Sequence, residues 1–94
     1  MTIWTRRALR HIDDRAGYRA QEAGEEVAGR LLRRIQEAAG HLEDHPALGR
    51  VGRIDGTRAL VVSHTPYIVA YRIRHGDVHF LAVLHTARQW PTRL

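Results

Sequence analysis

Tyr67-Ile68-Val69-Ala70-Tyr71-Arg72-Ile73-Arg74-His75-Gly76-Asp77-Val78-His79-Phe80-Leu81-Ala82-Val83-Leu84-His85 is the stretch that decides the fold. Its first eight residues are rich in β-branched and aromatic side chains, the kinds that suit a pleated, half-buried surface. His75-Gly76-Asp77 supplies a tight turn, and Val78 to His85 continues as a second strand. Side chains alternate between the two faces of a strand. Alternation therefore puts Val69 and Ile73 on one face of the first strand, Ile68 and Ala70 on the other. In the second strand it groups Val78, Phe80, Ala82 and Leu84 on one side, with Leu81 and Val83 on the opposite side. Both faces of this hairpin are apolar.

Working outward toward the N-terminus, His64-Thr65-Pro66 reads as a loop, because a residue before proline avoids the helical region. Arg58 to Ser63 reads as another strand, preceded by the turn signal Asp55-Gly56, with Val51 and Ile54 flanking Gly52-Arg53. The periodicity changes at Gly49. Before it, Val27, Leu31, Ile35, Ala38 and Leu42, joined by Ala28, Leu32 and Ala39, form a broad apolar face over about residues 25–44. Glu25-Glu26 suit the positive start of that helix, and Pro46 ends it. A turn around Glu22–Gly24 separates it from a first helix over about residues 6–20, with Thr5 as N-cap and Leu9, Ile12 and Ala16 at helical spacing. Arg15 and Arg19 sit where a fuller apolar stripe would carry Ile or Leu. Ile3-Trp4 is compatible with a short edge strand, with Trp4 in the core.

These elements predict one α+β domain over residues 1–94: an N-terminal helical hairpin on one face of a small antiparallel sheet, in the order β-α-α-β-β-β. Two helices cover one side of a sheet. The apolar side chains left on the other side call for a partner, or for loops or the C-terminal tail to fold over them.

At 94 residues there is no room for a second core, and the surface buried on folding is a modest fraction, about 60–65%. No apolar run approaches the roughly 20 residues that cross a bilayer. The N-terminus has no long apolar stretch after its arginines, which excludes a secretory signal. Cysteine is absent, which excludes disulfide and thiolate chemistry. A cytoplasmic protein is the simplest expectation. Net charge is +5 and unevenly placed. Residues 1–45 hold eight Arg and eight acids, whereas residues 46–94 hold seven Arg against Asp55 and Asp77. A neutral half joined to a basic half suggests a surface facing something anionic: nucleic acid, a nucleic-acid machine or an acidic protein segment.

Four pieces carry a family resemblance: Pro46-Ala47-Leu48-Gly49-Arg50, Gly56-Thr57-Arg58-Ala59-Leu60-Val61-Val62, Thr65-Pro66-Tyr67-Ile68-Val69-Ala70-Tyr71-Arg72, and Val83-Leu84-His85-Thr86-Ala87-Arg88-Gln89-Trp90-Pro91. In this order, behind a helical hairpin, they resemble the RelE/ParE toxin superfamily, and the last piece looks more like the ParE branch. The match is loosest over residues 10–30, where Arg15 and Arg19 depart from it. The resemblance implies the toxin of a type II toxin–antitoxin system, of the kind associated with plasmid stabilization. It further implies a growth inhibitor held in a hetero-oligomer by a cognate, ParD-like ribbon-helix-helix antitoxin whose tail lies in the helix–sheet grooves. On the ParE side the implied action is poisoning of DNA gyrase, a binding activity with no catalytic residue and no cofactor. On the RelE side it is metal-independent cleavage of messenger RNA in the ribosome.

The ribonuclease alternative requires residues to take the 2′-OH proton, protonate the leaving oxygen and stabilise the phosphorane. Arg58 and Arg72 are the candidates to hold phosphate, and His85 the candidate to move the proton near neutral pH. Thr86 after His85 and the absence of Lys depart from the RelE pattern. Arg58, Arg72, Arg88 and Trp90 are the candidates for contacting a target or an antitoxin. Trp90 reads equally as a lid on the core, and His85 as a hydrogen-bonded core histidine. His41 and His45 at helical spacing, and His75 and His79 across a turn, invite a metal. Two ligands without carboxylate or thiolate support fall short of a site, so none is expected.

Overall fold

The computed structural model describes residues 2–86. Strand β1 (Thr2–Trp4) leads into helix α1 (Arg6–Ala23) and helix α2 (Glu25–Asp44). A 3-10 turn over Pro46–Leu48 delivers the chain to β2 (Arg50–Val51), β3 (Arg58–Val61), β4 (Tyr67–Arg74) and β5 (Asp77–His85). The five strands form one sheet in the order β1-β5-β4-β3-β2. Every pairing is antiparallel except that of β1, which runs parallel to β5 with Trp4 opposite Phe80. The sheet expected to be antiparallel is therefore mixed at that edge: α1 and α2 carry the chain back across the sheet before the meander begins.

Both helices lie on one face. Leu31, Ile35, Ala38 and Leu42 of α2 and Ala8 of α1 share a core with Tyr67, Val69, Tyr71, Val78, Phe80 and Val83 of the sheet. Trp4 stacks on Phe80 with ring centroids 4.1 Å apart. Helix α2 follows its sequence pattern closely. In α1, by contrast, Ala8 is the buried residue and Leu9 is 49% exposed, so Ala8 takes the place expected of Leu9, while Ile12 of the expected stripe packs against the core. The turn between the helices is a single residue. Gly24, at φ 94°, donates its N–H to the Ala20 carbonyl to end α1, and its own carbonyl accepts from Ala28 N–H to begin α2. A positive φ of this kind favours glycine.

Strand β5 corrects the expected alternation. Tyr71 pairs with Phe80 but Ala70 pairs with Ala82, so Leu81 is an extra residue, a β-bulge. The bulge reverses parity along the strand. Val78, Phe80 and Val83 point to the helices, whereas Ala82 and Leu84 point away, joining Ala70 in a second small cluster. That second face is less bare than expected: Ala70, Ala82 and Leu84 are all buried within the chain.

The 46–49 turn is clasped from below. The Tyr71 hydroxyl donates to the Pro46 carbonyl at 2.6 Å and accepts from Gly49 N–H at 2.9 Å. Burial holds the Tyr71 phenol above its ordinary pKa, against the opposing pull of that N–H and the Arg58 charge. No helix among the described residues is long and apolar enough to cross a membrane.

Candidate interaction site between helix α1 and the sheet

Strand β1 is only three residues long, so among the described residues β5 beyond Phe80 has no strand neighbour on its outer side. Buried backbone groups need partners, and here the side chains of α1 supply them. The Thr5 hydroxyl donates to the Phe80 carbonyl at 2.8 Å while accepting from Ala8 N–H as helix N-cap. One turn and a half further on, His11 Nδ1 accepts from Val83 N–H at 3.1 Å. One turn beyond that, Arg15 Nη2 donates to the Val83 carbonyl at 3.1 Å. His11 and Arg15 thus grip both polar atoms of one strand residue. An Ile at position 15 would leave that carbonyl unmet. The departure of Arg15 from the apolar stripe therefore has a structural cause.

Below Arg15 the helix and sheet diverge around a cleft of about 570 Å³. Arg15, Tyr18, Arg19 and Glu22 of α1 line one wall, and Pro66, Tyr67 and His85 the other. The Tyr18 hydroxyl bonds Glu22 at 2.8 Å, and that bond raises its pKa. His85 meets Tyr67 edge to face, with ring centroids 5.6 Å apart. Around the Thr65–Tyr67 loop the cleft adjoins a second hollow of about 270 Å³ where Arg19, Arg30, Arg34 and His64 gather. His64 holds a left-handed φ of 63° at the tip of that loop. The convergence of arginines from both helices makes this corner cationic, with an apolar floor of Val27, Leu31 and Tyr67. Such a surface suits an anionic segment that also carries apolar side chains.

Of the residues singled out from sequence, His85 lines this cleft, whereas Arg58 and Arg72 lie elsewhere. Arg58 Nη1 donates to the Gly49 carbonyl at 2.8 Å and to Ala47 at 3.3 Å, so its guanidinium fastens the 46–49 turn to β3. Arg58 pairs with Tyr71 in register and shares its face, whereas Arg72, the next residue, projects on the helix-free face opposite His79. His85 lies in the Tyr67 row, four residues along β4 from the Arg58 row, about 13 Å away. The structure does not bring Arg58, Arg72 and His85 together around one reacting group. Arg88 and Trp90 lie outside the described residues. Among the described residues, no group of three or more His, Asp or Glu is placed to hold a metal ion. The cleft residues Arg15, Arg19, Arg30, Arg34 and His64 went unassigned from sequence. The one visible signal was the pair of arginines breaking the stripe of the first helix.

Residues 2–90 match the model of a protein family described as the ParE toxin of the type II toxin–antitoxin system parDE. The chain belongs to the ParE toxin family. Among similar proteins, toxin Y4kP of Sinorhizobium fredii is 44% identical over 88 residues, covering 94% of this chain and 90% of that protein. Toxin RelE2 of Caulobacter vibrioides is 31% identical over 86 residues, covering 92% and 94%. A solved structure of the chromosomal ParDE system from P. aeruginosa superposes with a TM-score of 0.83 at 22% identity, over 89% of this chain and 92% of that one. At that identity the likeness speaks for the ParE fold.

Proposed function

We propose that this ParE-family toxin inhibits growth by binding DNA gyrase and poisoning it, and that a cognate antitoxin of ParD-like, ribbon-helix-helix type holds it inactive in the cytoplasm. The observation that carries the gyrase reading is the family match over residues 2–90. The placement of Arg58, Arg72 and His85 supports a binding action over a catalytic one. Arg58 is engaged by the Ala47 and Gly49 carbonyls, and Arg72 faces the other side of the sheet. A phosphorane needs its cation and its proton carrier within hydrogen-bond reach of one site. The antitoxin reading is supported by the cationic corner around Arg19, Arg30 and Arg34, whose charge and apolar floor complement an acidic, amphipathic tail. Arg72 and, beyond the described residues, Arg88 and Trp90 are proposed as further contacts to gyrase or antitoxin.

The test is a supercoiling and DNA-cleavage assay with purified toxin and gyrase, run beside ribosome-dependent messenger RNA cleavage. The expected outcome is loss of supercoiling with trapped cleaved DNA, relieved by the antitoxin. Intact gyrase activity at saturating toxin, together with cleaved messenger RNA that His85→Ala abolishes in a folded protein, would replace this proposal with the ribonuclease reading. The similarity to a toxin named RelE2 is the observation that keeps that reading in the experiment.

A further inference from the structure

Helix α1 is attached to the sheet in an unusual way. Ala8 is its only buried residue among the described ones, and Leu9 points to solvent. Ile12 packs partly buried against the core beside Ala8, and the rest of the attachment runs through a polar seam, Thr5, His11 and Arg15, laid along the open edge of β5. Of the three, Thr5 and Arg15 keep their bonding capacity at any pH near neutral. His11 does not. Its Nδ1 accepts the Val83 N–H, which only a neutral imidazole with its proton on Nε2 can do. An imidazolium has donors at both nitrogens and would face that N–H as a like dipole.

We propose that His11 is a protonation-controlled latch: uptake of a proton breaks its bond to Val83, loosens α1 from the edge of β5, and widens the cleft bounded by Arg15, Tyr67 and His85. Three observations converge on it. The first is the acceptor geometry at Nδ1. The second is charge: among the described residues the groups acting on His11 are those of its own helix, with Arg15, Arg7 and Arg10 opposing a positive imidazole and Asp14 favouring it. Strand β5 meets it through the backbone of Val83, and β1 carries no titratable side chain. A proton added there joins three arginines against one carboxylate. The third is continuity with the cleft. Arg15 both completes the grip on Val83 and lines the cleft, and its Nε is buried without a hydrogen-bond partner among the described residues. When the latch lets go, that nitrogen gains access to water, so release relieves a cost already present in the closed form. Partial burial also holds His11 below its usual value of 6.5, which places the opening on the acidic side of neutrality.

The measurement is amide hydrogen exchange of Val83 by NMR between pH 7.5 and 5, corrected for the intrinsic rate, in the wild-type chain and in His11→Gln and Asp14→Asn. In the wild type, the protection of Val83 should fall at least tenfold across this range, while that of Val69 in the centre of the sheet changes little. In His11→Gln the dependence should vanish, whatever its absolute protection. Asp14→Asn leaves the imidazole in place and removes its one favourable charge, so its transition should move to lower pH. Protection of Val83 that is flat with pH in the wild type, or that falls equally in His11→Gln, would overturn the latch. So would an unmoved transition in Asp14→Asn. None of these outcomes depends on the identity of the toxin's target.

Discussion

Tyr71 shows how one side chain can set the junction between helices and sheet. Its hydroxyl is the shared partner of the Pro46 carbonyl and the buried Gly49 N–H. Tyr71→Phe keeps the ring in the core but strands that N–H, and should cost about 1–3 kcal/mol in urea unfolding. Gly49→Ala attacks the same junction from the other side. Its φ of −71° is ordinary, but a Cβ would lie 2.6 Å from the Tyr71 hydroxyl and 2.8 Å from the Ala59 carbonyl. The glycine is there for space. His11 makes a different prediction. The fold lowers its pKa, chiefly through burial and then through Arg15 and Arg7. The stability tied to its neutral form is therefore complete above the unfolded value near 6.5. Below that value the unfolded chain takes the proton first, and stability falls until the folded form is protonated as well. Urea midpoints should decline more steeply below pH 6.5 in the wild type than in His11→Gln; parallel declines would refute this linkage. The arginines 15 and 19 were visible in the sequence as interruptions of an apolar stripe. The purpose of Arg15 was not, because a strand edge 68 residues away supplies it.

At the level of elements, helix α2 and the β4–β5 hairpin were legible because each carries a long, unbroken pattern. Leu31, Ile35, Ala38 and Leu42 fall on the face that the periodicity assigns. The bulge in β5 was not legible. Phe80-Leu81-Ala82-Val83-Leu84 is apolar at every position, so hydrophobicity reads the same in either phase. Only the partner register reveals that Leu81 is supernumerary. This makes a sharp test. Deleting Leu81 removes the supernumerary residue and leaves Phe80 opposite Tyr71 and Ala82 opposite Ala70, so Val83 stays on the helix face and Ala82 and Leu84 on the other. Cooperative thermal unfolding should survive, with a smaller loss than the roughly 2–5 kcal/mol typical of Ile35→Ala. A deletion variant that loses cooperative unfolding would show that the sheet needs the bulge itself and not only the pairings on either side of it. The two-residue β2 and the parallel pairing of β1 were hidden for another reason. Segments so short have no period, and tertiary context alone decides them.

For the molecule as a whole, the charge imbalance of the sequence does not translate directly into the surface. The C-terminal half carries the net +5, yet the arginine-rich corner is built by Arg15, Arg19, Arg30 and Arg34 of the neutral half. Their balancing acids are distributed along the helices, with Asp14 and Glu22 on the adjoining cleft and Glu37 pairing Arg34 at 3.6 Å. If an acidic antitoxin tail seats at this corner, the double reversal Arg19→Glu and Arg34→Glu should weaken capture at least tenfold and flatten its salt dependence. Surface plasmon resonance at two ionic strengths would measure this, and unchanged binding would place the tail elsewhere. The family and the fold were readable from four short pieces of sequence; the corner was not, since it exists only where two helices meet a loop. Finally, the helices are joined through Gly24 alone, with no slack between them. One residue inserted there would rotate α1 about its axis by about 100° relative to α2. With the α2 core intact, Thr5, His11 and Arg15 would then swing off the edge they serve. The joint acts as a gear tooth, coupling the winding of one helix to the alignment of the other, and it ties the chain length of the hairpin to an all-or-none fit at β5.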